Sequence, residues 1–302
     1  MQIKTRGITH IFDKGGVTEH TAVKNASVII DQGEFITIIG PTGSGKTTFI
    51  EHLNVLLRPN EGEIEFISQE LSNKLKKNKK KIRKGKSVSD IAMTITPGKK
   101  KLKEIKLLRK QVGIVFQFAE YQLFEETILK DIIFGPVSMG IEKSKAIELA
   151  NKYIKLVGLD ETYLERSPFA LSGGQKRRVA LAGILAMEPE ILVFDEPTAG
   201  LDPQGEIDMY KIFHKLHKEG KTIIIVTHNL DHVLEHSERT LVFNEAALVR
   251  DDKSIDIMYD KKFLELNKLE VPKIVDLVHT LNKKGKNKIG TPRNIDELVK
   301  KI

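Results

Sequence analysis

The sequence has no cysteine, which excludes a disulfide scaffold, thiolate zinc sites and thiol catalysis. No apolar run reaches the roughly 18–20 residues that a spanning helix needs. The opening stretch MQIKTRGITH lacks the apolar core of a secretory signal. These absences lead us to expect a soluble chain in a reducing compartment. Charge of one sign is also scarcer than the net value of +8 suggests. Between Lys74 and Lys110 stand 16 Lys or Arg against only Asp90 and Glu104, so +8 becomes −6 once that segment's +14 is set aside. The basicity belongs to one insertion and is weak evidence for nucleic acid as a partner.

What is present is enough for a core: 302 residues, 40% of them apolar. That fits two domains or one α/β domain with an appendage. Apolar runs at Phe35–Ile39, Val112–Phe116, Ile191–Phe194, Thr222–Val226 and Thr240–Phe243 read as buried strands. Helical spacing follows several of them, at Thr47–Leu57, Gln175–Met187 and Gln204–His217. Strands alternating with helices imply a parallel sheet covered on both faces. The first 34 residues alternate polar and apolar positions, as an antiparallel flank would. Residues 118–170 read as an inserted helical subdomain, with Gly135-Pro136 and Gly140 as breaks. Residues 67–106, rich in Lys and Ser, read as a partly disordered loop. Residues 1–245 would then form the main domain and 246–302 a small C-terminal helical extension.

Gly40-Pro41-Thr42-Gly43-Ser44-Gly45-Lys46-Thr47 follows an expected strand and opens an expected helix. That is the context the G-x-x-x-x-G-K-[ST] phosphate loop requires. Its glycines let several N–H groups turn toward one anion, and the helix start adds partial positive charge. Lys46 would bridge the β- and γ-phosphates and the Thr47 hydroxyl would take a magnesium position. Thr48 is the next cofactor-binding candidate.

A second group of motifs lies further along. The run Ile191–Phe194 ends in Asp195-Glu196. Asp195 is the candidate magnesium carboxylate and Glu196 the group that polarises a water against the γ-phosphate. Thr222–Val226 ends in Thr227-His228, which brings an imidazole to the same edge of the sheet. Leu171-Ser172-Gly173-Gly174-Gln175 precedes a strongly helical stretch and could form a second anion site.

Taken together, Gly40–Thr47, Gln117, Leu171–Gln175, Asp195–Glu196, Asp202 and His228 resemble the nucleotide-binding domain of ABC transporters over about residues 1 to 245. The resemblance implies a P-loop NTPase core with a RecA-like parallel sheet, and ATP and Mg2+ as cofactors. It also implies Gln117 near magnesium and the attacking water, and His228 on the γ-phosphate. Ser172, Gly173, Gly174 and Gln175 would face ATP bound to another subunit, with Asp202 at that interface. Phe12 stands where the family usually stacks an aromatic on adenine; a core or edge Phe is the alternative.

Val115-Phe-Gln117-Phe-Ala-Glu-Tyr-Gln-Leu-Phe124-Glu-Glu-Thr127, with Phe134-Gly-Pro136 and Ser167-Pro-Phe, is similar to a narrower group, the ATPases of energy-coupling factor transporters. Those import vitamins or transition-metal ions. The resemblance implies a second related ABC ATPase, an integral membrane coupling protein and a substrate-capture membrane protein as partners. The location implied is peripheral, at the cytoplasmic face of the cell membrane. Phe118, Tyr121, Leu123 and Phe124 would line a groove for a coupling-protein helix. Two departures stand out: Ala119 replaces the group's usual proline, and no glycine follows Phe243. The rival reading is a soluble ABC ATPase acting on nucleic acid or ribosomes. It is disfavoured because there is no heptad run, only one cassette, and few aromatics among the lysines. The insertion itself reads as a solvated loop, with contact to anionic lipid headgroups as the second reading.

Overall fold

A computed structural model describes residues 1–75, 80, 90–98, 104–284 and 289–301. Strands β1 (Gln2–Phe12), β2 (His20–Ala26) and β3 (Ile29–Ile30) open the chain, and β4 (Phe35–Ile39) runs into helix α1 (Lys46–Leu53). Then come β5 (Glu61–Ile67), α2 (Gln69–Lys74), β6 (Ile91–Ile95), α3 (Ile105–Gln111) and β7 (Val112–Val115). A helical block follows, made of α4 (Ile128–Ser138), α5 (Lys143–Leu156) and α6 (Gly173–Leu185). The chain returns through β8 (Ile191–Asp195), α7 (Pro203–Lys218), β9 (Thr222–Val226), α8 (Leu230–His236), β10 (Arg239–Asn244) and β11 (Ala247–Lys253). Helices α9 (Ser254–Met258), α10 (Lys261–Leu266), α11 (Lys273–Lys284) and α12 (Ile295–Val299) follow.

The strands form one curled mixed sheet in the order β6-β5-β1-β2-β11-β10-β4-β9-β8-β7, with β3 beside β1. From β10 to β7 every pairing is parallel, and every residue of β4, β7, β8 and β9 is buried. Alternate residues feed two cores, as a sheet covered on both faces requires. Leu192 and Phe194 pack with the helical block, whereas Ile191 and Val193 pack with α1, α3 and the antiparallel flank. A third core joins Ile39 and Val242 to α8 and the C-terminal helices.

Several sequence expectations are revised. The Lys- and Ser-rich segment holds an ordered strand, because Ile95, Thr94, Met93 and Ile91 pair antiparallel with β5. Residues 76–79, 81–89 and 99–103 lie outside the described residues, and so do the expectations of a solvated loop or lipid contact there. Helix α1 stops at Leu53, short of Leu57, since Val55 takes φ +59°. Gly135-Pro136 does not break α4, which runs on to Ser138 before Gly140 turns at φ +85°. The sheet continues past residue 245, through β11 to Lys253, and the helices beyond it share a core with α8.

The missing glycine after Phe243 has a structural answer. Glu245 and Ala246 both adopt left-handed backbone, φ +47° and +65°, in a two-residue turn closed by the Asn244–Ala247 pair. Two-residue hairpin turns of this kind favour Asn-Gly. Replacing Glu245-Ala246 by Asn-Gly should stabilise the chain by about 1 kcal/mol, read as a higher urea midpoint at unchanged slope; a lower midpoint contradicts this strain.

His52 on α1 is fully buried, with Nδ1–H donating to the Thr48 carbonyl (2.7 Å) and Nε2 facing His10 Nδ1 (3.2 Å). Burial pushes its pKa down to about 4, against the pull of the Thr48 carbonyl and helped by the neighbouring His10. The unfolded chain therefore takes up this proton first as pH falls. The contribution is complete above about pH 6.5 and is lost toward pH 4, at up to about 1.4 kcal/mol per pH unit. Between pH 7 and 5 the natural chain should lose more denaturation free energy than His52→Gln. Equal losses would remove His52 from this role.

Candidate functional site

Strands β4, β7, β8 and β9 deliver their carboxyl ends to one edge of the sheet, where open α/β sheets bind ligands. At the end of β4, Gly40 has φ +151° and a Cβ there would lie 2.0 Å from the Phe243 carbonyl oxygen. A Cβ on Gly45 (φ +97°) would lie 2.0 Å from the Ala22 oxygen. Gly43 has open space around it and is needed only for φ +78°. The loop is thus wedged between β10 and β2. Within it the Ser44 N–H donates to the Pro41 carbonyl (3.2 Å), Thr42 is exposed, and Thr48 lies in the first turn of α1.

Lys46 folds back over this loop, its Nζ donating to the carbonyls of Gly40 and Pro41 at 2.8 Å each. Burial lowers its pKa, while the carboxylates of Glu196 and Asp195 pull it up. The Thr47 hydroxyl donates to Asp195 Oδ2 at 2.9 Å. Burial raises the Asp195 pKa, opposed by that hydrogen bond and by Lys46. The next residue, Glu196, has left-handed backbone (φ +49°), and its carboxylate meets His228 Nδ1 at 2.9 Å. So Lys46, Thr47, Asp195, Glu196 and His228 come together. Gln117 lies two positions beyond Val115, which pairs with Phe194, so it reaches the same edge and is exposed.

The donors suit the chemistry expected of them. Ser44 Oγ is buried without a hydrogen-bond partner and borders the Gly40 position, so the glycine cradle retains an unused polar group facing it. A hydroxyl and a carboxylate oxygen at hydrogen-bond distance form a hard-oxygen pair of the kind Mg2+ takes alongside phosphates.

Other expected residues lie elsewhere. Phe12 closes β1, 41% exposed, with its ring set against His10 at 4.5 Å. Ser172 caps α6 and Gln175 closes the reciprocal capping box. With Gly174, Tyr163 and Asp202 they line a separate cleft of about 760 Å3 that none of Gly40–Thr47 lines. Asp202 caps α7 by accepting the Gly205 N–H (2.6 Å). Leu123 and Phe124 line an apolar groove of about 230 Å3 with Ala119, Phe134 and Met187. Phe118 and Tyr121 stand exposed outside that lining. Sequence reasoning missed Arg177, since Lys176-Arg177-Arg178 reads as a solvated basic run. The signal was its spacing from Leu181 and Leu185, which puts it on the buried stripe of α6.

Comparison with known proteins agrees with this geometry. The ABC transporter family matches residues 23–199. The energy-coupling factor transporter ATP-binding protein EcfA2 of Mycoplasma mobile is 54% identical over 302 residues, covering 100% of this chain and 96% of that protein. Its Streptococcus pneumoniae counterpart is 41% identical, covering 100% and 99%. Among solved structures, cbiO1 of Clostridium perfringens, part of the cbiONQ complex, superposes with TM-score 0.68 at 30% identity, over 92% of this chain and 98% of that one. The dimeric ABC transporter cassette MJ0796 gives TM-score 0.65 at 28% identity, over 83% and 98%. Matched by that family over more than half its length, and by these relatives from end to end, the chain belongs to the ABC transporter ATPases, in their energy-coupling factor branch.

Proposed function

We propose that this chain binds Mg-ATP between the Gly40–Thr47 loop and the β8 carboxylates, and that its hydrolysis drives an energy-coupling factor importer of vitamins or transition-metal ions. The observation that carries the reading is the meeting of Lys46, Thr47, Asp195, Glu196 and His228 at the ends of adjacent parallel strands. The N–H groups of the loop and the start of α1 bind the phosphates, and Lys46 leaves its loop carbonyls to bridge the outer two. Thr47, Asp195 and Gln117 would hold Mg2+, which when bound would supply positive charge to the phosphate oxygens. Glu196 orients a water in line with the γ-phosphate and accepts its proton as the oxygen attacks and ADP departs. His228 fixes the Glu196 carboxylate and contacts the γ-phosphate; Phe12 stacks on the adenine.

The separate cleft at Ser172, Gly174, Gln175 and Asp202, with Gly173 beside it in the same helix start, supports a role toward nucleotide held by a second, related ABC ATPase. A heterodimer is the arrangement proposed, with a homodimer as the alternative. The apolar groove beside Phe124 and Phe134, two rings in edge contact at 4.9 Å, receives a helix of an integral membrane coupling protein. That protein, together with a substrate-capture membrane protein, places the chain peripherally at the cytoplasmic face of the cell membrane. Residues 1–245, with β11 completing their sheet, carry the ATPase chemistry, with the helical subdomain at 118–170, and the helices that follow β11 help to hold the two ATPases together. Nucleic acid has no part in this reading.

The test uses the complex purified in mild detergent from its own cells. Lys46→Ala should weaken ATP binding at this site by at least about tenfold, the loss of a charge-assisted contact. Unchanged affinity removes the phosphate-loop assignment. Glu196→Gln should keep ATP binding while lowering turnover at that site by about 10²–10⁴-fold. Turnover near the natural rate would take Glu196 out of catalysis. Co-purifying ribosomal proteins, with no membrane protein, would overturn the importer reading.

A further inference from the structure

Arg177, 8% exposed on α6, joins three segments around the site. Its Nη2 and Nε donate to the two carboxylate oxygens of Glu120 (2.9 and 3.2 Å), in the 3-10 turn Ala119–Gln122 just after Gln117. Its Nη1 donates to the carbonyls of Ala199 (2.5 Å) and Pro197 (3.5 Å), in the turn that leaves Glu196. Burial pushes the Glu120 carboxyl up, but the hydrogen bonds and charge of Arg177 outweigh it and hold it below the usual range. A buried ion pair is weak evidence for stability, because apolar residues of the same shape often serve as well. The geometry it fixes is therefore the informative part.

That geometry concerns Glu196. Its φ of +49° is sparsely populated for a residue with a side chain, and persists only where the surroundings over-determine it. On one side the Glu196 N–H donates to the Val226 carbonyl (2.9 Å). On the other, the Ala199 N–H closes the turn onto the Glu196 carbonyl (3.2 Å), and Arg177 grips the carbonyls of that turn. Strand β9 and Arg177 thus hold the strained residue from opposite ends.

We propose that Arg177 is a positioning residue for hydrolysis: it locks the Pro197–Ala199 turn so that the Glu196 carboxylate stays aimed, and through Glu120 it ties that lock to the loop carrying Gln117. The proposal rests on the assignment of Glu196 as the base.

The test compares Arg177→Met, Glu120→Gln, the double variant Arg177→Met/Glu120→Gln and Glu196→Gln in the assembled transporter. Steady-state kcat and KM for ATP, ATP bound per complex and Tm are measured for each. Arg177→Met should lower kcat by about 10–100-fold, the scale of a misplaced catalytic group, with KM within about twofold. Its Tm should fall, because the half-buried Glu120 carboxylate loses its ion-pair partner. The double variant should recover Tm but not kcat, and Glu120→Gln, which keeps both carbonyl contacts, should keep most of its turnover. Recovery of kcat together with Tm in the double variant would make Arg177 merely structural and overturn the proposal. So would a loss in Arg177→Met confined to KM and bound ATP. If Glu196→Gln is inactive while Arg177→Met turns over normally, the positioning role alone fails. If Glu196→Gln turns over normally, the base assignment fails and the proposal falls with it.

Discussion

The parallel pairing of β8 with β9 is the constraint on which the reactive geometry depends. Phe194 stands opposite Ile225 and Asp195 opposite Val226, and the ladder goes one step further when the Glu196 N–H meets the Val226 carbonyl. Side chains alternate across a strand, so a slip of one residue would exchange the two faces. Asp195 would lose Thr47, and a carboxylate would be driven into the core that Phe194 shares with Phe213. The cost of burying an unpaired charge makes that slip prohibitive. The same register fixes His228, two residues beyond Val226, against Glu196.

Electrostatics inside the site follow from this crowding. Burial alone moves Lys46 and Asp195 toward their neutral forms. Each opposes the shift in the other, and the Thr47 hydroxyl adds its hydrogen bond to Asp195. Groups whose charge is supported by fixed neighbours in a poorly solvated setting need little rearrangement when phosphate charge arrives. That is the physical content of preorganisation.

The central strands were legible in the sequence because both their faces are buried. Runs such as Phe35–Ile39 and Thr222–Val226 needed only apolar continuity to be recognised, and their bounds coincide with β4 and β9. The loop between β4 and α1 was legible because steric demands at Gly40 and Gly45 admit few residues. What stayed hidden depended on partners distant in sequence. β6 reads as part of a polar, lysine-rich stretch until β5 lies beside it. β11, with Arg250, Asp251 and Asp252, owes its strand form to β10 across a strained turn. Arg177 sits in a basic run and reveals its role only once Glu120 and the carbonyls after Glu196 surround it.

The contact of Gly40 with β10 has a mechanical meaning. The floor of the phosphate loop rests on backbone that is itself paired to β4, through Val242 and Ile39, and stitched to β2 where the Lys24 N–H meets the Ala246 carbonyl (2.7 Å). A loop seated on covalently rigid peptide planes, with no side chain between to yield, behaves as an anvil. The helical block, by contrast, meets the sheet through packed side chains such as Phe194 and Leu192, a seam of a softer kind than peptide against peptide.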